Sequence, residues 1–397
     1  MTINLIIFIL TLINFAFQLD FVILMPLGQI IMDQFQISPI EFSAVISVYT
    51  LASGISSLLY SIFGAKWNKK IILLISIFAL SVSGFITGVI TTFYELFIMR
   101  CISGGISGIL NALIFSIATE HIPHRQRGKA MAWILSGFSL ASVFGVPIGL
   151  YLTDHFGFKI TYFSIALIFF IVLLGSIFIL PNDHKREFVQ INLMIRNFLD
   201  CVKNVNYWKG YLLLFFISGA IFVIVPLLSP FAIKNLGMKM TNLEQMYLCG
   251  GILTVFTSRI IGNFCDKYGP KKLLNLVSLL SVFPIVIFVN SADINGVYFI
   301  ILGSLMMALM SGLMVPSMTI ASFIPANADI SAFNGILNSV RNLGASFFSY
   351  LAGLLMITDL ATGKFINFYL LGFIYIILMM IVIYIGLTFS RVKTQKN

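Results

Sequence analysis

Asp20 lies deep inside an apolar run long enough to cross a bilayer, and three basic residues, Arg100, Arg259 and Arg341, also fall within such runs. A carboxylate in hydrocarbon is costly, so one found there is first a candidate for taking up and releasing a proton. Asp20 is alone in this respect among the 14 Asp and Glu residues. It lies about eight residues, or ~12 Å, from the outer end of its run, and Arg100 about six residues, or ~9 Å, from the outer end of its own. Matched depth names Arg100 as the candidate partner of Asp20. A neighbouring guanidinium keeps a carboxylate ionised, desolvation opposes this, and a bound substrate can tip the balance. The structural alternative for Asp20 is an ion pair or polar helix contact with no wider role. Arg341 lies about ten residues, or ~15 Å, from the inner end of its run, near the middle of the membrane. Asn334, Asn338, Asn342 and Asn111 could supply hydrogen bonds around it. Two deep cations against one deep anion favour an anionic substrate. Arg341, Arg100, Asn111 and Asn338 are therefore the candidate substrate-binding residues, and Asp20 with Arg100 the candidate proton-coupling pair. The competing use of Arg341 is to snorkel or to bind helix carbonyls.

Other chemistries find no support. His121, His124, His155 and His184 all fall in loops. Cys101, Cys201, Cys249 and Cys265 are scattered without metal-ligand or redox spacing. There is no acid cluster, HExxH or GxxxxGK[ST] stretch. No enzyme, metal site, cofactor or ATP-driven pump is expected.

The elements that must position these residues follow from composition. The 397 residues are 59% hydrophobic and only 10% charged, with a mean hydropathy of +1.03. Such a chain cannot cover a water-facing surface and reads as an integral membrane protein. Twelve runs qualify as spanning helices: 4–28, 41–64, 70–91, 94–118, 130–153, 159–180, 209–233, 244–264, 271–290, 296–322, 331–356 and 365–389. The apolar N-terminus lacks a basic flank and a small-residue cleavage site and is too long for a signal-peptide core, so it is expected to be the first span. With the N-terminus inside, the inner loops carry 17 Lys and Arg and the outer loops 4. Both termini are thus expected in the cytoplasm. The same bias accounts for the net charge of +10 without a nucleic-acid partner. The division is a six-helix bundle over 1–180, a polar basic linker over 181–208 with an amphipathic helix within 188–205, and a second six-helix bundle over 209–397.

The halves repeat one another weakly, as in many transporters. Phe21 to Leu27 (FVILMPL) matches Phe222 to Leu228 (FVIVPLL), and each half has a short basic loop after its second helix. The second-half loop carries Gly262, Asp266, Lys267, Gly269, Lys271 and Lys272; in the first half Ala65 stands where the acid is expected. This spacing resembles the signature loop of the major facilitator superfamily. Arg100 to Gly105 resembles that family's fourth-helix motif. Gly137, Gly145, Pro147 and Gly149, with Asp154 to Phe158, resemble the fifth-helix pattern of its proton-coupled efflux members. The similarity is greatest to the drug:proton antiporter-1 and arabinose-efflux-like permeases, which usually carry a neutral polar residue at the place of Arg341. The resemblance implies two pseudo-symmetric bundles working by alternating access, and a monomer in the inner membrane that exports a small molecule against protons. It also implies a gating latch at Asp266, with Arg259 as a candidate partner, and close helix packing at the fifth-helix glycines. An importer or exchanger of an anionic metabolite or carboxylate chelator, such as a siderophore, is the alternative. A receptor or lipid scramblase on the same fold comes third.

Overall fold

The computed structural model describes residues 3–64, 67–181, 191–291, 294–325, 330–359 and 361–389. Ala65 and Lys66 of the first basic loop, linker residues 182–190 and the basic tail 390–397 lie outside the described residues. The described residues are helical throughout, apart from connections and a single β-bridge between Thr358 and Phe365.

The first bundle contains α1 (Ile3–Val22), a short α2 (Gly28–Phe35), α3 (Pro39–Phe63), α4 (Lys69–Val89) and α5 (Phe93–His121). It continues with α6 (His124–Leu140), a π-helical turn (Ala141–Gly145), α7 (Val146–Phe156) and α8 (Phe158–Ile179). The linker helix is α9 (Ile191–Lys203). The second bundle comprises α10 (Val205–Lys234), α11 (Met240–Tyr268), α12 (Pro270–Asn290), α13 (Gly296–Ser322), α14 (Ile330–Leu355) and α15 (Phe368–Thr388). Local chemistry sets many of these boundaries. Ser38 with Glu41 and Thr92 with Glu95 form capping boxes that start α3 and α5. Gly157 and Gly269, at φ 83° and 87°, turn the chain between α7 and α8 and between α11 and α12, where a side chain would be strained.

Eleven helices among the described residues, counting α6 to α7 as one, are long and apolar enough to cross a membrane. The twelfth expected span, α14, is 26 residues long but is diluted by Asn334, Asn338, Arg341, Asn342 and four serines. It is a spanning helix by packing: α3 and α10 cover opposite faces of it. Several expected boundaries move by a few residues or more. The first span ends at Val22, not residue 28, and the chain crosses the buried turn Ile23–Leu27 before α2. Pro26 cannot continue the helix there, whereas the matching Pro226 is carried inside an unbroken α10. Helix α10 begins at Val205, four residues before the expected span at 209. The linker helix is shorter than 188–205 among the described residues.

The two bundles meet along α3 and α14, from Ser43 beside Ser349 and Gly353 at one end to Ser61 beside Gly335 at the other. At the end remote from the linker, here the far end, they also meet through α1, α2 and α10. The Ser229 hydroxyl donates to the Pro26 carbonyl at 2.6 Å, and Phe21 stacks on Phe222 at 5.8 Å. There α11 packs on α7 and the π turn, with Gly251 against the backbone of Ser142 and Val143. Towards the linker end α11 barely touches α6, and α5 and α13 make no extended contact. The molecule is closed at the far end and parted at the linker end.

Candidate functional site

Five helices of the first bundle converge on one buried ion pair. Arg100 Nη1 on α5 donates to Asp20 Oδ1 on α1 at 3.1 Å, with the two side chains 1% and 3% exposed. The other terminal nitrogen, Nη2, donates to the Thr87 hydroxyl on α4 at 3.2 Å. The guanidinium carbon lies 6.0 Å from the ring centre of Tyr49 on α3 and 5.3 Å from that of Tyr162 on α8. Cation–π contact of this kind strengthens when water is excluded. Tyr49 is held in turn: its hydroxyl donates to Ser107 at 2.8 Å and its ring stacks on Phe21 at 4.9 Å. Because Phe21 also stacks on Phe222, rings from α3, α1 and α10 form a continuous stack adjoining the pair.

The contact is a single hydrogen bond rather than a bidentate fork. Asp20 Oδ2 and Arg100 Nε, both buried, have no hydrogen-bond partner. The pair is thus held tightly on one side and keeps a free acceptor oxygen on the other. That oxygen is where a proton can be added without first breaking a bond.

Helix packing explains why Arg100 reaches this position. A Cβ on Gly104 would collide with the Tyr49 carbonyl, and one on Gly108 with the Ser53 carbonyl. The bare backbone lets α3 lie directly on α5 and brings Tyr49 over the guanidinium one turn away. The fifth-helix residues work similarly. Gly137 abuts the backbone of α1 at Phe15, Gly145 abuts Leu19 and Gly149 abuts Ile23. Pro147, at the start of α7, has no N–H for the Val143 carbonyl. The helix slips into the π turn just before it, where the Val146 N–H reaches Ala141.

The structure does not bring Arg100 and Arg341 together. Gly104 marks the level of Tyr49 on α3, while Ser339 and Asn342 of α14 flank Gly54. Along α3 the two arginines are therefore about nine residues, or ~13 Å, apart. Arg100 is buried inside the first bundle, and its contacts in this conformation are all with that bundle. Asn111 lies three turns from Arg100 on the same side of α5, one turn beyond Gly108 and near the level of Arg341. Asn111, Asn338 and Arg341 are half-buried, without a hydrogen bond among the described residues.

In the signature loop, Asp266 and Lys267 are exposed and the pairing of Asp266 with Arg259 is not made; Arg259 is itself exposed on α11. The loop lies at the parted end, where Asp266 makes no hydrogen bond or ion pair among the described residues. Gly262 has open space around it. Lys272 is exposed, whereas Lys271 donates to the carbonyls of Leu387 and Phe389, both at 2.9 Å, at the end of α15. In the first half Lys70, at the same helical position, donates to the Leu180 carbonyl at the end of α8 at 2.6 Å. One lysine in each half thus neutralises the C-terminal carbonyls of that half's last helix. Sequence reading took Lys70 as an orientation signal and Lys271 as both that and a member of the signature loop, and foresaw neither bond. It missed Tyr49, Thr87 and Tyr162 entirely.

Two helical bundles packed along α3–α14 and α7–α11, closed at one end and parted at the other, with an ion pair buried beside the closure, form the architecture of a membrane transporter. The family model of the Major Facilitator Superfamily matches residues 10–349, and the chain belongs to that superfamily. It is a transporter rather than an enzyme, and its family carries small molecules across membranes. The fold is shared with the nucleoside transporter NupG, seen in a mutant crystal form: the TM-score is 0.76 at 14% identity, over 97% of this chain and 99% of that one. A bacterial homolog of the human lysosomal transporter Spinster, in an inward-facing and occupied conformation, gives 0.68 at 12% identity over 96% and 93%. Its inward-facing, unoccupied form gives 0.66 at 13% identity over 97% and 94%. At these identities the likeness is one of fold.

Proposed function

We propose that this transporter is a proton-coupled antiporter that exports a small molecule across the cytoplasmic membrane by alternating access. The observation that carries the reading is the Asp20–Arg100 pair, with one carboxylate oxygen bonded and the other free. In the conformation described, Asp20 is paired with Arg100. A proton on Oδ2 cancels the carboxylate charge, weakens the contact and leaves Arg100 a buried, uncompensated cation. Such a charge is strongly destabilising, so protonation favours rearrangement of the helices that bear on the pair. Because α1 and α3 also carry Phe21 and Tyr49, that rearrangement acts directly on the closure against Phe222 of α10.

The 17-to-4 distribution of basic residues supports termini and linker in the cytoplasm, which makes the parted end the inner one. The likeness of Gly137, Gly145, Pro147 and Gly149 to the fifth helix of efflux antiporters supports the outward direction. Asp266 is read as a latch that engages only when the inner ends come together. A monomer contains all of these parts.

The test is flux in proteoliposomes loaded with a pH-sensitive dye. Cationic dyes, carboxylates and sugars are offered in turn under an imposed pH gradient. Movement of one class should be matched by counterflow of protons, and Asp20→Asn should abolish uphill movement while leaving insertion intact. Uphill transport at the normal rate in Asp20→Asn places the proton site elsewhere.

A further inference from the structure

Arg341 has neither of the structural uses open to an intramembrane arginine. It carries no ion pair, ring contact or hydrogen bond among the described residues, whereas Arg100 has a carboxylate, a hydroxyl and two rings. Nor is a carboxylate within reach. Asp20 is taken; Glu41 and Glu95 are in helix caps; Glu120 pairs with Lys69; the remaining described acids lie in connections, on α9 or near the ends of spans.

Snorkelling into lipid is excluded by the face Arg341 occupies. On α14, Ser339, Asn342 and Ser346 meet α3 through Gly54, Ser53 and Ser47. On the opposite side Leu337, Gly344 and Phe348 meet α10. Leu343, Phe347, Tyr350 and Leu354 are exposed large apolar residues and mark the lipid side. At about 100° per residue, Asn334, Asn338 and Arg341 fall on the remaining face, opposite the lipid and towards the space between the bundles. They lie on the linker side of the Phe21–Phe222 closure, on the side where the bundles part.

We propose that Arg341, with Asn338 one turn away, is the subsite for a carboxylate group of the transported molecule. This rests on reading the inter-bundle space as the transport route. A planar two-oxygen anion matches the guanidinium fork, and an amide at the next turn can donate to the same group. A neutral or cationic substrate would leave a desolvated cation uncompensated at mid-membrane.

The experiment is thermal unfolding of the purified full-length protein in detergent at fixed ionic strength and pH. The additives are acetate, succinate or citrate, with glycerol, sorbitol and ethidium as neutral and cationic controls. A saturable rise in Tm is expected with at least one carboxylate and with none of the controls. Arg341→Gln should weaken its apparent affinity about ten- to hundredfold, the usual cost of losing a charge-assisted hydrogen bond. Asn338→Ala, which leaves the charge in place, should weaken it several-fold and keeps the proposal testable if Arg341→Gln does not fold. If no carboxylate shifts Tm, or if neither substitution changes the shift, the proposal is overturned. Binding in detergent needs no proton gradient, so the two readings fail separately. Carboxylate binding through Arg341 in a protein whose uphill transport survives Asp20→Asn upholds this subsite and removes the coupling assignment. Proton exchange for a sugar or a dye, with no carboxylate shift, does the reverse.

Discussion

Tyr49 lies between the Arg100 guanidinium and the Phe21 ring. Its ring lies over the guanidinium, stacks on Phe21 and is fixed by the Ser107 hydroxyl. Removing it should open a path to the free carboxylate oxygen. Asp20 is expected to resist a water-soluble carbodiimide in the native protein and to react in Tyr49→Ala, as read by mass spectrometry; equal labelling in both would show that Tyr49 shields nothing. Thr87→Val leaves the buried Nη2 of Arg100 without its acceptor and should cost about 1–3 kcal/mol, seen as a lower Tm in detergent. Asp20 and Arg100 were legible in the sequence because a charge inside an apolar run is rare and costly. Tyr49, Thr87 and Tyr162 were not, because Tyr and Thr are ordinary residues of spanning helices and gain their meaning only from what they face. Arg341 was legible as an anomaly, but the sequence could not say which side of α14 it takes, since that depends on how α3 and α10 share the helix.

At the scale of elements, two close approaches hold the site in place. Where α5 lies on α3, Gly104 and Gly108 face backbone carbonyls, which cannot move aside as a flexible side chain can. Gly104→Val should therefore destabilise the protein by at least the usual overpacking cost of about 1–3 kcal/mol, measured by thermal unfolding; an unchanged Tm would contradict the packing described. Where α14 lies on α3, Ser47 and Ser346 touch at 2.8 Å between hydroxyls, so the double variant Ser47→Cys, Ser346→Cys should form a disulfide under mild oxidation. Hydrophobic run length reveals where helices must be, and it located the spans well, α14 included. It could not reveal the π turn before Pro147 or the break at Pro26. A proline removes the same N–H wherever it stands, and only the neighbours decide whether the helix slips, stops or, as at Pro226, continues. The lysines Lys70 and Lys271 were read correctly as basic, but their bonds to the last carbonyls of α8 and α15 join segments over 100 residues apart in sequence.

For the whole molecule, the proposed orientation predicts that Lys364→Cys, exposed in the connection between α14 and α15, reacts with an impermeant maleimide on intact cells once the four native cysteines are replaced. Reaction only after permeabilisation would invert the topology. The central claim is that the protonation state of Asp20 sets which end of the molecule is open, and it can be tested without knowing the substrate. Spin labels at Thr119→Cys and Ser322→Cys, both exposed near the linker ends of α5 and α13, report the separation of the bundles by pulsed electron–electron resonance. Lowering the pH should shift the population towards shorter distances. With Asp20→Asn, which mimics the protonated state, the distance should be short and insensitive to pH. A variant that follows the native pH dependence would contradict the account.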